Sequence, residues 1–310
     1  GIYCSDQKSM ENIEDNIRFE SNEMFKTKKW TGGTIGEKSL NFIYDVSDSL
    51  ERMDYYCSSR AGIVTAANSF FILSLEDVHN FNLKDHVQPI IQKALYVNGG
   101  IDFSVEDFDD LKQLEKPCFL LDLNETPESE FSHEMKEYLR LGKKEEINRR
   151  YKCKLRDRWF DIPSIEGSDG FFFKRSHLYP KLLSNSASVY VTDSAYRVKM
   201  NEGFEMDELL FSFYNSLTLV MAELTGRSYG GGVLELTPTE FKQLPLPYCS
   251  IDRRNFQSFK KRFKRKSSID EILMRNDAII LGENMKLSER EIASIQEALK
   301  KIRSRRLRVR

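Results

Sequence analysis

A mixed α/β (α+β) domain, with a mixed or antiparallel sheet, packed helices and a helical C-terminal tail, is the fold class this sequence predicts. Three features carry that expectation. Short runs rich in β-branched and aromatic residues, bounded by turn formers, recur between positions 61 and 236. Between them lie stretches whose apolar residues return at helical spacing. After Tyr248 the chain becomes helical and basic up to its end.

Residues 1–50 mix polar stretches with Trp30 and the turn-forming Gly32-Gly33. A helix is expected near Leu40 to Arg52, where Phe42, Ile43, Val46 and Leu50 share one helical face. Ala61 to Thr65 and Ser69 to Leu73 read as two short strands around a turn at Ala66-Ala67-Asn68. Val87 to Ala94 fits a short helix or an extended segment, and Cys118 to Leu123 a buried strand. Glu134 to Leu141 reads as a helix that stops at Gly142.

Trp159 to Pro163, Gly170 to Lys174, Ser188 to Thr192 and Ala195 to Val198 are strand candidates. Met206 to Leu224 predicts one helix packed on the sheet, ended by the loop Gly226 to Gly232. Val233 to Leu236 is again strand-like. Thr237 then supplies a cap and Pro238 a first helical residue, and Leu244-Pro245-Leu246-Pro247 must leave that helix. Ser288 to Glu291 is a capping box before a last helix, Ile292 to Ile302.

The 310 residues suffice for one large domain or two smaller ones, and a 40% hydrophobic, 12% aromatic composition supports a real core. Cys4, Cys57, Cys118, Cys153 and Cys249 are scattered and odd in number, and histidines occur only at 79, 86, 133 and 177. Neither a disulfide framework nor a metal site is suggested, and the chain reads as cytoplasmic and reduced. No run of 18 or more apolar residues is present, so no membrane partner is expected. The chain begins Gly1-Ile2, which reads as a tag scar on a fragment of a longer protein, with a processed terminus as the alternative.

The net charge of −1 hides a strong asymmetry. Twelve acidic residues face three basic ones from Asp102 to Glu137, whereas nine basic face three acidic ones from Arg140 to Arg158. Arg253 to Lys266 holds eight basic residues and no acidic one, and Lys300 to Arg310 holds seven and none. Basic runs on a neutral chain suggest a face for a polyanion, although each alone is also what a solvated helix shows.

The chemistry of methyl transfer is missing from the sequence given. An exocyclic base amine needs a cofactor cradle of strand, glycine-rich turn and helix, and an Asn- or Asp-Pro-Pro-aromatic loop. The chain contains no Pro-Pro, and Gly230-Gly231-Gly232 precedes a strand instead of opening a helix. A nuclease set drawn from Asp48, Asp54, Asp157, Asp161, Asp193 and Glu235 lacks a convincing arrangement. No catalytic residue is assigned.

Several stretches together resemble the C-terminal target-recognition region of the Eco57I/TaqI-like N6-adenine DNA methyltransferases of restriction–modification systems. They are Arg60 to Asn68 with Phe70 to Leu73; Tyr138-Leu139 with Arg149 to Lys154 and Trp159 to Pro163; and Thr192-Asp193 with Tyr196-Arg197. The most specific is Ser212 to Ser216 continuing to Gly226–Pro238 and closing with Leu244 to Tyr248. Leu287 to Ile292 and Arg305 to Leu307 look like that family's tail. The resemblance implies sequence-specific recognition of double-stranded DNA. It also implies that the S-adenosylmethionine-binding catalytic domain, a partner of this region, precedes the chain. Residues 1–50 then form a linker from that domain, 51–248 the α/β recognition domain, and 249–310 a basic helical region.

Candidate DNA contacts follow. If Arg149 to Arg158 is extended, Arg150, Lys152, Lys154, Arg156 and Arg158 share one face and track a phosphate backbone, with Arg149 beside them. The alternative is an edge strand protected by charge. Arg227, Ser228, Tyr229, Gly230 and Gly231 make a loop that permits close backbone approach, or simply a tight turn. Lys174 and Arg175 follow a strand, with Ser176 and His177 next to them, and Tyr196 and Arg197 sit in a similar position. A stand-alone nuclease and a protein-interaction specificity subunit are the competing readings.

Overall fold

The computed structural model describes residue 33 and residues 35–308, apart from 98, 164 and 165. Trp30 and Gly32 of the leading segment lie outside the described residues. A helix α1 (Glu37–Asp48) and a turn α2 (Met53–Tyr56) lead into strand β1 (Cys57–Ala61). A lobe follows: α3 (Asn68–Phe71), β2 (Ile72–Leu73), α4 (Leu75–Asn80), β3 (Val87–Ile91), α5 (Val105–Gln113), β4 (Phe119–Leu121), α6 (His133–Lys144) and α7 (Tyr151–Lys154). The chain then returns through β5 (Gly170–Phe173), β6 (Arg175–Ser176), β7 (Lys181–Ser184), β8 (Tyr190–Val191) and β9 (Ala195–Met200). Helices α8 (Met206–Phe213) and α9 (Ser216–Thr225) precede β10 (Arg227–Tyr229), β11 (Val233–Glu235) and α10 (Pro238–Lys242). Helices α11 (Arg253–Lys264), α12 (Ile269–Asp277) and α13 (Glu289–Leu307) close the chain.

The central sheet has the order β1-β9-β5-β7 and is antiparallel throughout. Side chains alternate between faces along a strand, so adjacent phenylalanines in β5 serve two cores. Phe172 joins Leu182, Tyr196 and Val198 on one face, while Phe171 and Phe173 join Leu183 and Ala195 on the other. The first face is covered by α8 and α9 and by the C-terminal helices, whose Phe256, Phe259, Phe263, Ile280, Ile295 and Leu299 belong to the same core. Phe172 stacks on Phe241 of α10 with ring centroids 4.4 Å apart. Each such fully buried side chain contributes about 1.5–3 kcal/mol.

A second sheet, β2-β4-β3-β8, is antiparallel except for the parallel pair β3 and β8. It anchors the lobe core of Phe70, Phe71, Leu120, Leu121, Tyr138, Leu139 and Phe160. A three-stranded antiparallel ribbon, β10-β11-β6, stands apart from both.

Five expectations are corrected by this architecture. The hairpin expected at Ala61 to Leu73 is absent: Thr65 accepts from the Ala67 amide at 3.1 Å and hydrogen-bonds Asn68, which starts the helical turn α3. Helix α6 runs through Gly142 to Lys144. A glycine is needed there because a Cβ would come within 2.6 Å of the Phe70 and Trp159 rings. Arg149 to Arg158 is not extended but coils through α7, turning Ile147 and Cys153 inward, so the shared-face argument for its cations fails.

Trp159 to Pro163 forms no strand; the Asn124 side chain instead brackets Ile162, donating to its carbonyl at 3.1 Å and accepting from its amide at 2.9 Å. The single helix expected over Met206 to Leu224 is broken at Tyr214-Asn215. Asn215 caps α9 by accepting from the Thr218 amide at 2.9 Å. Val87 to Ile91 resolves as a strand, the Thr237 cap and the Ser288 capping box form as read, and Glu240 completes a capping box at Thr237 as well.

Candidate nucleic-acid interface

Three cationic surfaces emerge. The first is the ribbon. Strand β11 is its middle, pairing Arg227 with Glu235 on one side and Glu235 with Arg175 on the other. The outer strand β10 is exposed along Arg227, Ser228 and Tyr229. Arg175 and Arg227 are more than half exposed, and each touches one carboxylate, Glu235 at 2.5 Å and Glu240 at 3.4 Å. At the tip, Gly231 and Gly232 hold φ of 75° and 74°, a left-handed conformation that side chains disfavour.

The ribbon is braced from below by the end of α13. Arg306 reaches a buried position where its Nε and Nη2 donate to Glu223 of α9 at 2.8 and 2.6 Å. Its Nη1 donates to the carbonyls of His177, at 2.5 Å, and Gly232. Tyr196, expected at the interface, lies beneath it: it is buried and its hydroxyl donates to the Leu236 carbonyl at 2.8 Å. Burial, reinforced by Glu235, pushes that phenol up to about 12. Its role is to tie the central sheet to the chain leaving β11.

The second surface is on the lobe. Arg149, Arg150, Lys152 and Lys154 are exposed, together with Tyr151 and Leu155. Arg149 pairs with Glu146 at 2.5 Å, and Arg150 donates to the Ala66 carbonyl at 3.0 Å. Two of the expected phosphate contacts are staples instead. Arg156 donates to the Val64 and Thr65 carbonyls and lies over the Phe71 ring, and burial lowers its pKa. Arg158 donates to the carbonyls of Leu123, Asn124 and Thr126 at 2.7–2.8 Å and pairs with Asp161.

Beside them opens a groove of about 410 Å³ lined by Lys136, Arg140, Lys143, Trp159, Phe160 and Asp157, among others. The sequence reading did not single out Lys136, Arg140 and Lys143. Their spacing of i, i+4 and i+7 along α6 is the signal that gathers them on one helix face.

The third surface is the solvent edge of the central sheet, where Arg197 of β9 faces Arg60 of β1 directly. Lys174 is half-buried at the base of the ribbon, its carbonyl accepting from Leu236 at 2.9 Å.

Among the described residues the candidate hydrolytic groups are not brought together. Gly226-Arg227-Ser228-Tyr229-Gly230 has the spacing of a nucleophile elbow, but that motif needs a strand-to-helix turn and Ser228 lies within β10. The scattered carboxylates stay apart: Asp48 pairs with Arg52, Asp161 with Arg158 and Glu235 with Arg175. Among the described residues no group of three His, Cys, Asp or Glu side chains is placed to hold a metal ion, and no helix is long and apolar enough to cross a membrane. Burial raises the Cys57 and Cys118 thiols to about 12, which removes their nucleophilic character.

The architecture is a mixed α/β body carrying a braced ribbon and two further cationic faces. The chain belongs to the family described as the C-terminal domain of the Type II methyltransferase M.Eco57I, which matches residues 27–281. It is 24% identical over 267 residues to the Type II methyltransferase M.AccI of Acinetobacter calcoaceticus, a match covering 81% of this chain and 47% of that protein. In fold it is similar to the type IIG restriction endonuclease BpuSI, with a TM-score of 0.53 at 14% identity over 89% of this chain and 33% of that one. The chain thus spans about half the length of the curated relative it matches.

Proposed function

We propose that this chain is the target-recognition region of a site-specific adenine-N6 DNA methyltransferase and binds double-stranded DNA through the ribbon. The observation that supports this most is the brace under β10-β11-β6. Arg306 and Glu223 hold the glycine tip from inside, while Arg175, Arg227, Ser228 and Tyr229 are exposed to solvent, each arginine beside one carboxylate. The outer pair β10-β11 is a two-stranded unit of the kind the major groove admits, where base edges carry a unique donor and acceptor code. Guanidinium groups recognise guanine there in a bidentate manner, and a serine hydroxyl reads either partner of a pair.

In this reading Arg149, Arg150, Lys152 and Lys154 of the lobe set the register on phosphates without reading sequence. Gly230 and Gly231 bring the backbone close to the groove floor. On binding, DNA displaces Glu240 from its long contact with Arg227 and competes with the close Glu235 contact of Arg175.

S-adenosylmethionine would be held by another part of the parent protein. The residues here do not fit it: the glycine run leads into β11 and not into a helix, so no glycine-rich strand–turn–helix cradle is formed among the described residues. Methylation by the parent, and a cytoplasmic site of action, are part of the same proposal.

Selection of the full chain against a randomised duplex library tests this. Enrichment of one short site, lost in Arg227→Ala and Ser228→Ala, is expected. Retention of duplexes with no enriched site at any salt concentration contradicts it.

A further inference from the structure

The central sheet carries a pair of like charges that a purely structural edge would avoid. In the antiparallel pair β1 and β9, Arg60 stands directly opposite Arg197, and Ser58 directly opposite Lys199. Residues opposite one another share a face, so all four line the same open groove, of about 300 Å³, with Glu166 and Gly167. Like charges directly opposite each other destabilise a strand pair.

One carboxylate offsets three cations. Glu166 reaches Arg60 at 3.7 Å and Arg197 at 3.4 Å. A committed charge-assisted bond is shorter, about 2.7–2.9 Å. Arg197 is already oriented, its Nε donating to the Ala61 carbonyl at 3.3 Å and its Nη1 to the Glu166 carbonyl at 3.2 Å. Arg60 is 74% exposed and Lys199 is exposed, so both can close on a ligand. The space next to Gly167 is open.

We propose that Arg60, Arg197 and Lys199 form an oxyanion site that takes a backbone phosphate of duplex DNA, and that Glu166 is the resident carboxylate the phosphate displaces. A phosphodiester presents two charged oxygens to two guanidinium groups and an ammonium, a better match than a single carboxylate at long range. The site lies on the central sheet, apart from the ribbon, and supplies a register contact on a second part of the duplex. The duplex part of this inference rests on the reading of the chain as a DNA-binding module; the oxyanion part does not.

The test uses the full chain, with Arg60→Ala, Lys199→Ala and Glu166→Gln, in two arms. Inorganic phosphate, at ionic strength matched with chloride, should shift the NMR resonance of the Arg197 Nε–H. Glu166→Gln should respond at lower phosphate concentration, and Arg60→Ala should blunt the response. In the second arm, affinity for a 20-base-pair duplex is followed from 50 to 200 mM salt. Arg60→Ala and Lys199→Ala should each reduce the log–log salt slope by part of about 0.9, and the double variant by up to about 0.9, the value for one phosphate contact. Glu166→Gln should tighten binding by about two- to five-fold, as expected from removing a weak exposed ion pair.

No response to phosphate, or a phosphate response with an unchanged duplex slope, overturns the proposal. A phosphate response in a chain that binds no duplex sinks the recognition reading while leaving the oxyanion site standing.

Discussion

Arg306 and Glu223 form an ion pair with side chains only 3% and 2% exposed, joining the last helix to the helix beneath the central sheet. Two further donations from the same guanidinium, to the His177 and Gly232 carbonyls, extend the pair to the ribbon tip. The end of the chain therefore sets the position of a loop more than seventy residues earlier in sequence. Removing one partner leaves the other charge buried and unmatched.

Arg306→Ala should accordingly destabilise the fold by about 3–5 kcal/mol, the typical effect of breaking a buried pair from one side. Urea unfolding followed by circular dichroism measures it. The double variant Arg306→Met with Glu223→Leu should recover much of that loss, because no orphan charge remains. A double variant as unstable as the sum of the two single ones would contradict the pairing.

The lobe cations should divide into two groups. Arg158→Ala should cost about 2–4 kcal/mol of stability by orphaning three carbonyls and Asp161, with no specific effect on duplex binding. Lys152→Ala and Lys154→Ala, both exposed, should leave stability within about 0.5 kcal/mol and lower the salt slope of binding. Paired unfolding and anisotropy titrations separate them, and a reversed pattern would reassign the surface.

Gly231→Ala should destabilise by about 1–2 kcal/mol, since its φ of 75° lies in the left-handed region, where a Cβ crowds the following carbonyl. Gly230→Ala should be nearly neutral, because its φ is not in the left-handed region and a Cβ there meets open space. Thermal unfolding of the two variants side by side reads the difference. Equal effects would mean that the ribbon tip adopts another turn.

Asp277 supplies a pH-dependent prediction. It is buried and accepts from the Ser216 amide at 2.8 Å, the Ser216 hydroxyl at 2.6 Å and Gln296 at 2.8 Å. Desolvation raises its pKa despite those bonds. A raised folded-state value means that its contribution is complete below the unfolded value of about 3.8 and is lost as pH rises through the folded value. The stability of wild type relative to Asp277→Asn should therefore fall as pH rises from about 3.5 towards neutrality. Urea midpoints at half-unit intervals test this; a difference that grows with pH would contradict it.

How much of this was legible in the sequence depended on whether the information was local. The Thr237 cap, the Ser288 capping box and the apolar runs of β4 and β5 declare themselves within a few residues, and they formed as read. The six cations from Arg149 to Arg158 did not. Arginine binds carbonyls and phosphates with the same donors, so nothing local distinguishes the stapled Arg156 and Arg158 from the exposed Lys152 and Lys154. Tyr196 sits beside Arg197 in sequence but on the opposite face of β9, and only the burial of its neighbours decides which face is wet. Glu223 and Arg306 are 83 residues apart, and their pairing needs the whole fold.

The most direct test of the central claim is the salt dependence of duplex binding by the intact chain and by the double variant Arg175→Ala with Arg227→Ala. Anisotropy titrations between 50 and 200 mM salt should give a steep linear fall of log affinity for wild type, while the variant keeps most of that slope and loses the preference for the selected site over a scrambled duplex, because the ribbon reads bases. Binding that is indifferent to salt, or a preference for the selected site that the ribbon substitutions leave unchanged, would contradict the account.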